Sequence, residues 1–99
     1  MAEKKGTAQL VEMHAIITGH VQGVCFRATT YRHATRMDVV GTVKNLSDGT
    51  VELYAQGEKE RLMLLIEGLK ENPGAGAVES VDLDFYPLKA KYDSFNIIY

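Results

Sequence analysis

The sequence lacks a second cysteine. Cys25 stands alone in a chain of 99 residues, so no internal disulfide can form, and the chain reads as a protein of a reducing compartment, the cytoplasm. It also lacks any apolar run near the roughly 20 residues that a helical membrane span requires, so no membrane partner is expected. The opening residues, Met1 to Ala8, carry charge with no apolar stretch behind them and do not read as a secretory signal. Residues 1–12 are expected to form a mobile leader and residues 13–99 one domain. An excess of basic charge is missing as well. The formal net charge is -2, which gives no encouragement to a nucleic-acid partner. Metal-binding spacings are absent: His14, His20, His33 and Cys25 make no H-x-x-x-H or C-x-x-C. Asp82 and Asp84 share a strand face with no third ligand in view. No repeat, low-complexity tract or internal linker interrupts the chain. What remains is an ordinary apolar content for a globular domain, in a chain long enough to bury roughly 60–70% of its unfolded surface.

The hydrophobic pattern alternates between two periods. Met13, Ala15 and Ile17 fall on one face of a strand over 13–18. A loop with Gly19 and Gly23 follows, and then a helix over about 26–37. Phe26, Thr30, Ala34 and Met37 fall at helical spacing on it, with Arg32 and Arg36 off that stripe. Asp38 ends the helix without help from a glycine. Residues 39–44 and 51–56 form a hairpin about the turn at Ser47, Asp48 and Gly49. Leu62, Leu65, Ile66 and Leu69 mark a second helix over 58–72, stopped by Pro73 and Gly74. Val81, Leu83 and Phe85 alternate in a fourth strand, and Phe95, Ile97 and Tyr99 suggest a fifth. This order predicts an α+β fold: a ferredoxin-like split βαβ sandwich, an antiparallel sheet of four to five strands with two helices on one face. Architecture of this kind says little about function.

The loop after the first strand is the most informative segment for function. Gly19 and Gly23 allow a tight turn that exposes amide N–H groups, and the positive end of the following helix points at the same place, which suits an anion. Arg27 sits at the start of that helix, where a guanidinium fork can grip two phosphate oxygens. From the glycines alone, a plain turn beside a surface arginine is the commoner arrangement. Two known phosphate chemistries drop out. A Walker A loop needs a lysine after its second glycine, and none is there. A cysteine phosphatase needs C-x5-R, and the required position holds Tyr31. Cys25 is therefore read as a small packing or loop residue.

The run Gly19, His20, Val21, Gln22, Gly23, Val24, Cys25, Phe26, Arg27 resembles the acylphosphatase signature G-x-V-Q-G-V-x-F-R. A second block, from Gly41 to Glu52, resembles that family's G-x-V-x-N-x-x-D-G-x-V-E. The likeness extends over most of 13–99, and Ala34 falls where the family carries alanine. Thr42, Asp38 and Ser47 depart from the tryptophan, glycine and proline common at their positions. The resemblance implies a hydrolase that cleaves the carboxyl–phosphate bond of a small acyl phosphate, giving carboxylate and inorganic phosphate, with no metal and no cofactor. It implies a stand-alone monomer in which residues 19–25 bind phosphate, Arg27 grips its oxygens and Asn45 holds the attacking water. The elementary chemistry agrees, because a carboxylate is a good leaving group and phosphoryl transfer is served mainly by positioning and charge stabilisation.

Two other readings compete. An RNA-binding module on the same fold would need aromatic residues along its central strands, but residues 50–56 offer only Tyr54 beside Glu52. A catalytically idle domain that binds acyl or carbamoyl phosphate, like the acylphosphatase-like segment at the head of larger maturation proteins, would share every motif. The chain's end at Tyr99 favours a stand-alone enzyme.

Overall fold

The computed structural model describes residues 9–99. Most of the expected leader lies outside them, and Leu10, Val11 and Glu12 already belong to the first strand. That strand, β1 (Leu10–His20), buries Met13, Ala15 and Ile17 completely, as its alternation dictates. The helix α1 (Phe26–Arg36) follows, then the hairpin β2 (Val40–Asn45) and β3 (Val51–Glu58). β3 runs directly into α2 (Lys59–Glu71), whose Leu62, Leu65, Ile66 and Leu69 face the core. β4 (Ala77–Pro87) and β5 (Phe95–Ile98) complete the chain.

The sheet order is β4-β1-β3-β2-β5. α1 packs over β2 and β5, α2 over β1, β3 and β4, and the helices touch each other. The core lies between the helices and the sheet: Met13, Ile17, Leu53, Val43 and Val51 meet Phe26, Leu62 and Leu65, all fully or almost fully buried. The expected antiparallel sheet holds for the first four strands and fails for the fifth. β5 pairs parallel to β2, from Gly41 with Phe95 to Lys44 with Ile98, so the sheet is mixed. Each of β1 to β4 is antiparallel to its neighbour, so β4 runs opposite to β2. The chain then reverses once between β4 and β5, which leaves β5 aligned with β2. Gln56 braces this crossover: its Nε2 donates to the Ala90 carbonyl at 2.7 Å and its Oε1 accepts from the Tyr92 amide at 2.9 Å.

The end of α1 shows how the chain manages without glycine. The Val39 amide donates to the Ala34 carbonyl at 2.9 Å and the Asp38 amide to the Thr35 carbonyl at 3.2 Å, the paired bonds of a Schellman cap. The cap demands a left-handed residue, and Asp38 supplies it at φ 58.

Candidate active site

The loop between β1 and α1 is shaped by its two glycines in different ways. At Gly19 the β1–β4 register shifts, and a Cβ there would stand 2.3 Å from the Ala77 carbonyl oxygen. Only glycine lets the two strands close at this point. Gly23 has φ 77 with open space around it, so it serves the turn itself. Cys25 is exposed and left-handed, at φ 61 and ψ 30, immediately before the helix. Its carbonyl accepts from the Thr29 amide at 3.1 Å and from Thr29 Oγ1 at 3.2 Å. Its thiol caps nothing. Among the described residues, the amides of Gln22 to Ala28 donate to no protein group. A run of free N–H groups at a helix start, where the peptide dipoles place positive charge, is an anion cradle.

Gln22 fastens this loop to the neighbouring hairpin. Its Nε2 donates to the carbonyls of Leu46 and Thr50, both at 2.8 Å. These flank the turn at the end of β2, where Asn45 is the last strand residue. The turn is held from its other side by Asp48, which accepts from the Thr50 amide at 3.0 Å and from Thr50 Oγ1 at 2.6 Å. These bonds hold the exposed Asp48 carboxyl below its ordinary value. The result is a cavity of about 330 Å³ lined by Val21, Gly23, Cys25, Phe26, Arg27 and Asn45. Asn45 Oδ1 is buried and makes no hydrogen bond to the protein. Arg27 is held from the far end of the chain: Nη1 donates to the Ile98 carbonyl at 3.2 Å, and the guanidinium carbon lies 4.6 Å from the centroid of the Tyr99 ring. The parallel register of β5 makes this possible, since it sets Ile98 beside Lys44 at the end of β2.

The structure thus gathers Val21, Gly23, Cys25, Arg27 and Asn45 about one cavity. The other loop residues stand around it. Gly19 and His20 make the last β1–β4 pairs, Gln22 turns to the hairpin, and Val24 packs on the core. Sequence reasoning missed the two-carbonyl tether of Gln22 and the hold of Ile98 and Tyr99 on Arg27. Among the described residues, no group of three or more His, Cys, Asp or Glu is placed to hold a metal ion.

The open face of the sheet argues against a nucleobase platform. His14 Nε2 meets Glu52 Oε2 at 2.8 Å, and Tyr54 lies against His14 with ring centroids 4.6 Å apart. Burial, then the carboxylates of Glu52 and Glu12, push the Tyr54 hydroxyl above its ordinary value. A face that carries these acids repels a phosphate backbone. His33, which joins no metal-binding spacing in the sequence, is half-buried and its Nε2 donates to the Asn72 carbonyl at 3.1 Å.

Comparison with known proteins gives a consistent result. The family model described as Acylphosphatase matches residues 13–97. A protein of Salinibacter ruber named Acylphosphatase is 46% identical over 83 residues, spanning 84% of this chain and 87% of that one. The structure of an acylphosphatase from Coxiella burnetii superposes with a TM-score of 0.82 at 37% identity, covering 91% of this chain and 94% of the other. The crystal structure of T. kodakarensis HypF matches with a TM-score of 0.77 at 29% identity, covering 89% of this chain but 12% of that protein.

Proposed function

The chain belongs to the acylphosphatase family and hydrolyses acyl phosphates, and from that premise we propose which of its residues carry the reaction. The amides of residues 22–28 and the Arg27 guanidinium hold the phosphoryl oxygens. Asn45 Oδ1 accepts a hydrogen bond from the attacking water. The observation that carries this division is that Asn45, which lines the same cavity as Arg27, has a side-chain oxygen that is buried and without a partner in the protein. A buried acceptor without a donor costs free energy unless something arrives to satisfy it, and an acceptor suits a water O–H.

The water oxygen forms a bond to phosphorus as the bond from phosphorus to the acyl oxygen breaks, and the electron pair of that bond leaves on the carboxylate. The water proton passes to a phosphate oxygen, because an asparagine amide cannot act as a base near neutral pH. Products are a carboxylate and inorganic phosphate. Positive charge on Arg27 and the fixed N–H dipoles meet the negative charge on the equatorial oxygens, which is where a loose phosphoryl transition state concentrates it. The rest of the work is positioning, and the Gln22 tether supports it by fixing the loop against the strand end that bears Asn45.

The enzyme is further proposed to act as a monomer in the cytoplasm. A solitary, exposed Cys25 suits a reducing compartment. The two sheet edges are β4, with exposed Glu79, Asp82 and Asp84, and the four-residue β5, and both resist pairing with a second copy.

The test is kinetic and thermodynamic together, on benzoyl phosphate and inorganic phosphate. Arg27→Ala should lose about 10³-fold or more in rate together with phosphate affinity. Asn45→Ala should lose about 10²–10³-fold in kcat while binding inorganic phosphate as the parent does, the mark of a group that acts in the transition state. Equal loss of phosphate binding in both variants would make Asn45 a ligand contact. A parent protein that binds phosphate without turning over benzoyl phosphate would be a binding domain.

A further inference from the structure

A cavity larger than the one just described lies elsewhere among the described residues. It has a volume of about 640 Å³, lies between α1 and the end of α2, and shares no lining residue with the catalytic cavity. Arg36 on its wall comes about two and a half turns after Arg27 along α1, so the two leave the helix on opposite sides. Arg32 and Arg36, one turn apart, put two guanidinium groups on this wall, and Glu71 is the only carboxylate there. Among the described residues, neither arginine has a carboxylate within ion-pair distance.

The wall is built with some rigidity. Arg32 Nη2 donates to Thr29 Oγ1 at 3.3 Å, and that hydroxyl in turn donates to the Cys25 carbonyl at 3.2 Å. Thr29 is 5% exposed. Gly74, at φ 70, comes so near that a Cβ there would stand 2.7 Å from Thr29 Oγ1. His33 closes the floor through its bond to the Asn72 carbonyl. Basic residues near a helix C-terminus are ordinarily explained by the helix dipole. That explanation needs a cation in the last turn, which His33 and Arg36 provide. It does not account for Arg32, a turn earlier and pinned by its own hydrogen bond, or for the concave wall of residues 72–74 opposite.

The geometry points to a second anion site in this cavity, which takes a small organic phosphate through Arg32 and Arg36. A volume of this order is that of a ligand pocket, and it exceeds what a bare phosphate fills. Two guanidinium forks suit a phosphate dianion. Glu71 on the rim repels a second anionic group and can accept from a hydroxyl, so a monophosphate with a hydroxylated body fits better than a diphosphate.

The experiment is a titration of the full chain, labelled for amide resonances, with glycerol phosphate and separately with inorganic phosphate. Glycerol phosphate should shift the amides of Thr29, Arg36 and Gly74 along a saturating curve with a Kd of about 1 mM or tighter, independently of any shifts at Gly23 to Arg27. Inorganic phosphate should bind there more weakly. Arg36→Glu and Arg32→Gln should each weaken glycerol phosphate at this site by about 10- to 100-fold, the scale of one charged hydrogen bond. Both arginines are exposed, and an otherwise unchanged amide spectrum confirms the fold. Lys89→Glu, on an exposed loop, changes net charge as much as Arg36→Glu and should leave the Kd within about twofold. The inference falls if the Thr29, Arg36 and Gly74 amides show no saturable shift, or if Lys89→Glu weakens binding as much as Arg36→Glu. A diphosphate that binds more tightly than glycerol phosphate would overturn the ligand assignment.

Discussion

The Arg27 guanidinium lies beneath the ring of Tyr99, 4.6 Å from ring centre to guanidinium carbon, while Ile98 accepts from Nη1 of the same arginine. The side chain proposed to grip phosphate is therefore oriented by the last strand of the sheet, although the proposed cradle amides belong to the first loop. A planar cation held from one side by a ring and a carbonyl presents its remaining N–H groups in a narrow range of directions.

Tyr99→Ala should loosen that arginine without removing its charge. An exposed cation–π contact is worth about 0.5–1 kcal/mol, so kcat/KM should fall by about two- to fivefold, and Tyr99→Phe should restore it. Steady-state kinetics on benzoyl phosphate read both. An unchanged kcat/KM in Tyr99→Ala would show that the Ile98 carbonyl alone orients Arg27.

Gln22→Ala removes both bonds that join the loop to the hairpin. Leu46 and Thr50 keep one backbone partner each, since the Gly49 amide donates to Leu46 and the Leu46 amide to Thr50. The loss is then two net hydrogen bonds, about 1–3 kcal/mol of stability, read by urea denaturation. Turnover should drop further than this suggests, by about 10- to 100-fold, because the cradle and Asn45 would no longer be fixed relative to each other. A variant that loses stability but keeps kcat would confine Gln22 to a structural part.

Asp38→Gly should make the protein more stable by about 1 kcal/mol. Left-handed backbone costs a side chain about 1–2 kcal/mol, and a carboxylate at the negative end of α1 adds about 0.3–1 kcal/mol. Greater freedom of glycine in the unfolded chain returns about 0.4–1 kcal/mol of that. The denaturation midpoint should rise with no change in kcat, since Asp38 does not line the cavity that holds Arg27 and Asn45. Asp38→Asn should give a smaller gain.

Much of this molecule is legible along the chain, and what is not has a common cause. Met13, Ala15 and Ile17 announce the buried face of β1, and Leu62, Leu65, Ile66 and Leu69 that of α2, because period and burial are local properties. The loop glycines, Arg27 and Asn45 could be marked from two short motifs. β4 begins earlier than its alternation shows, since residues 77–80 include Glu79 and Ser80 and carry no apolar rhythm. The direction of β5 is invisible in four residues, because it is set by the number of reversals that precede it. Arg27 and Ile98, 71 residues apart in sequence, meet only through that direction. The double tether of Gln22 is hidden for a related reason: a side-chain amide that bonds carbonyls 24 and 28 residues away leaves no local pattern.

On the role proposed for Asn45, its buried, unsatisfied oxygen sets activity and robustness against each other at one position. An unpaired acceptor of this kind costs about 1–3 kcal/mol, which an apolar residue of similar size would not incur. Under laboratory evolution for heat tolerance alone, with no demand for turnover, lineages would be drawn to replace Asn45 early. Under a demand for catalysis, the same asparagine would stay while compensating changes accumulated elsewhere, for instance at Asp38.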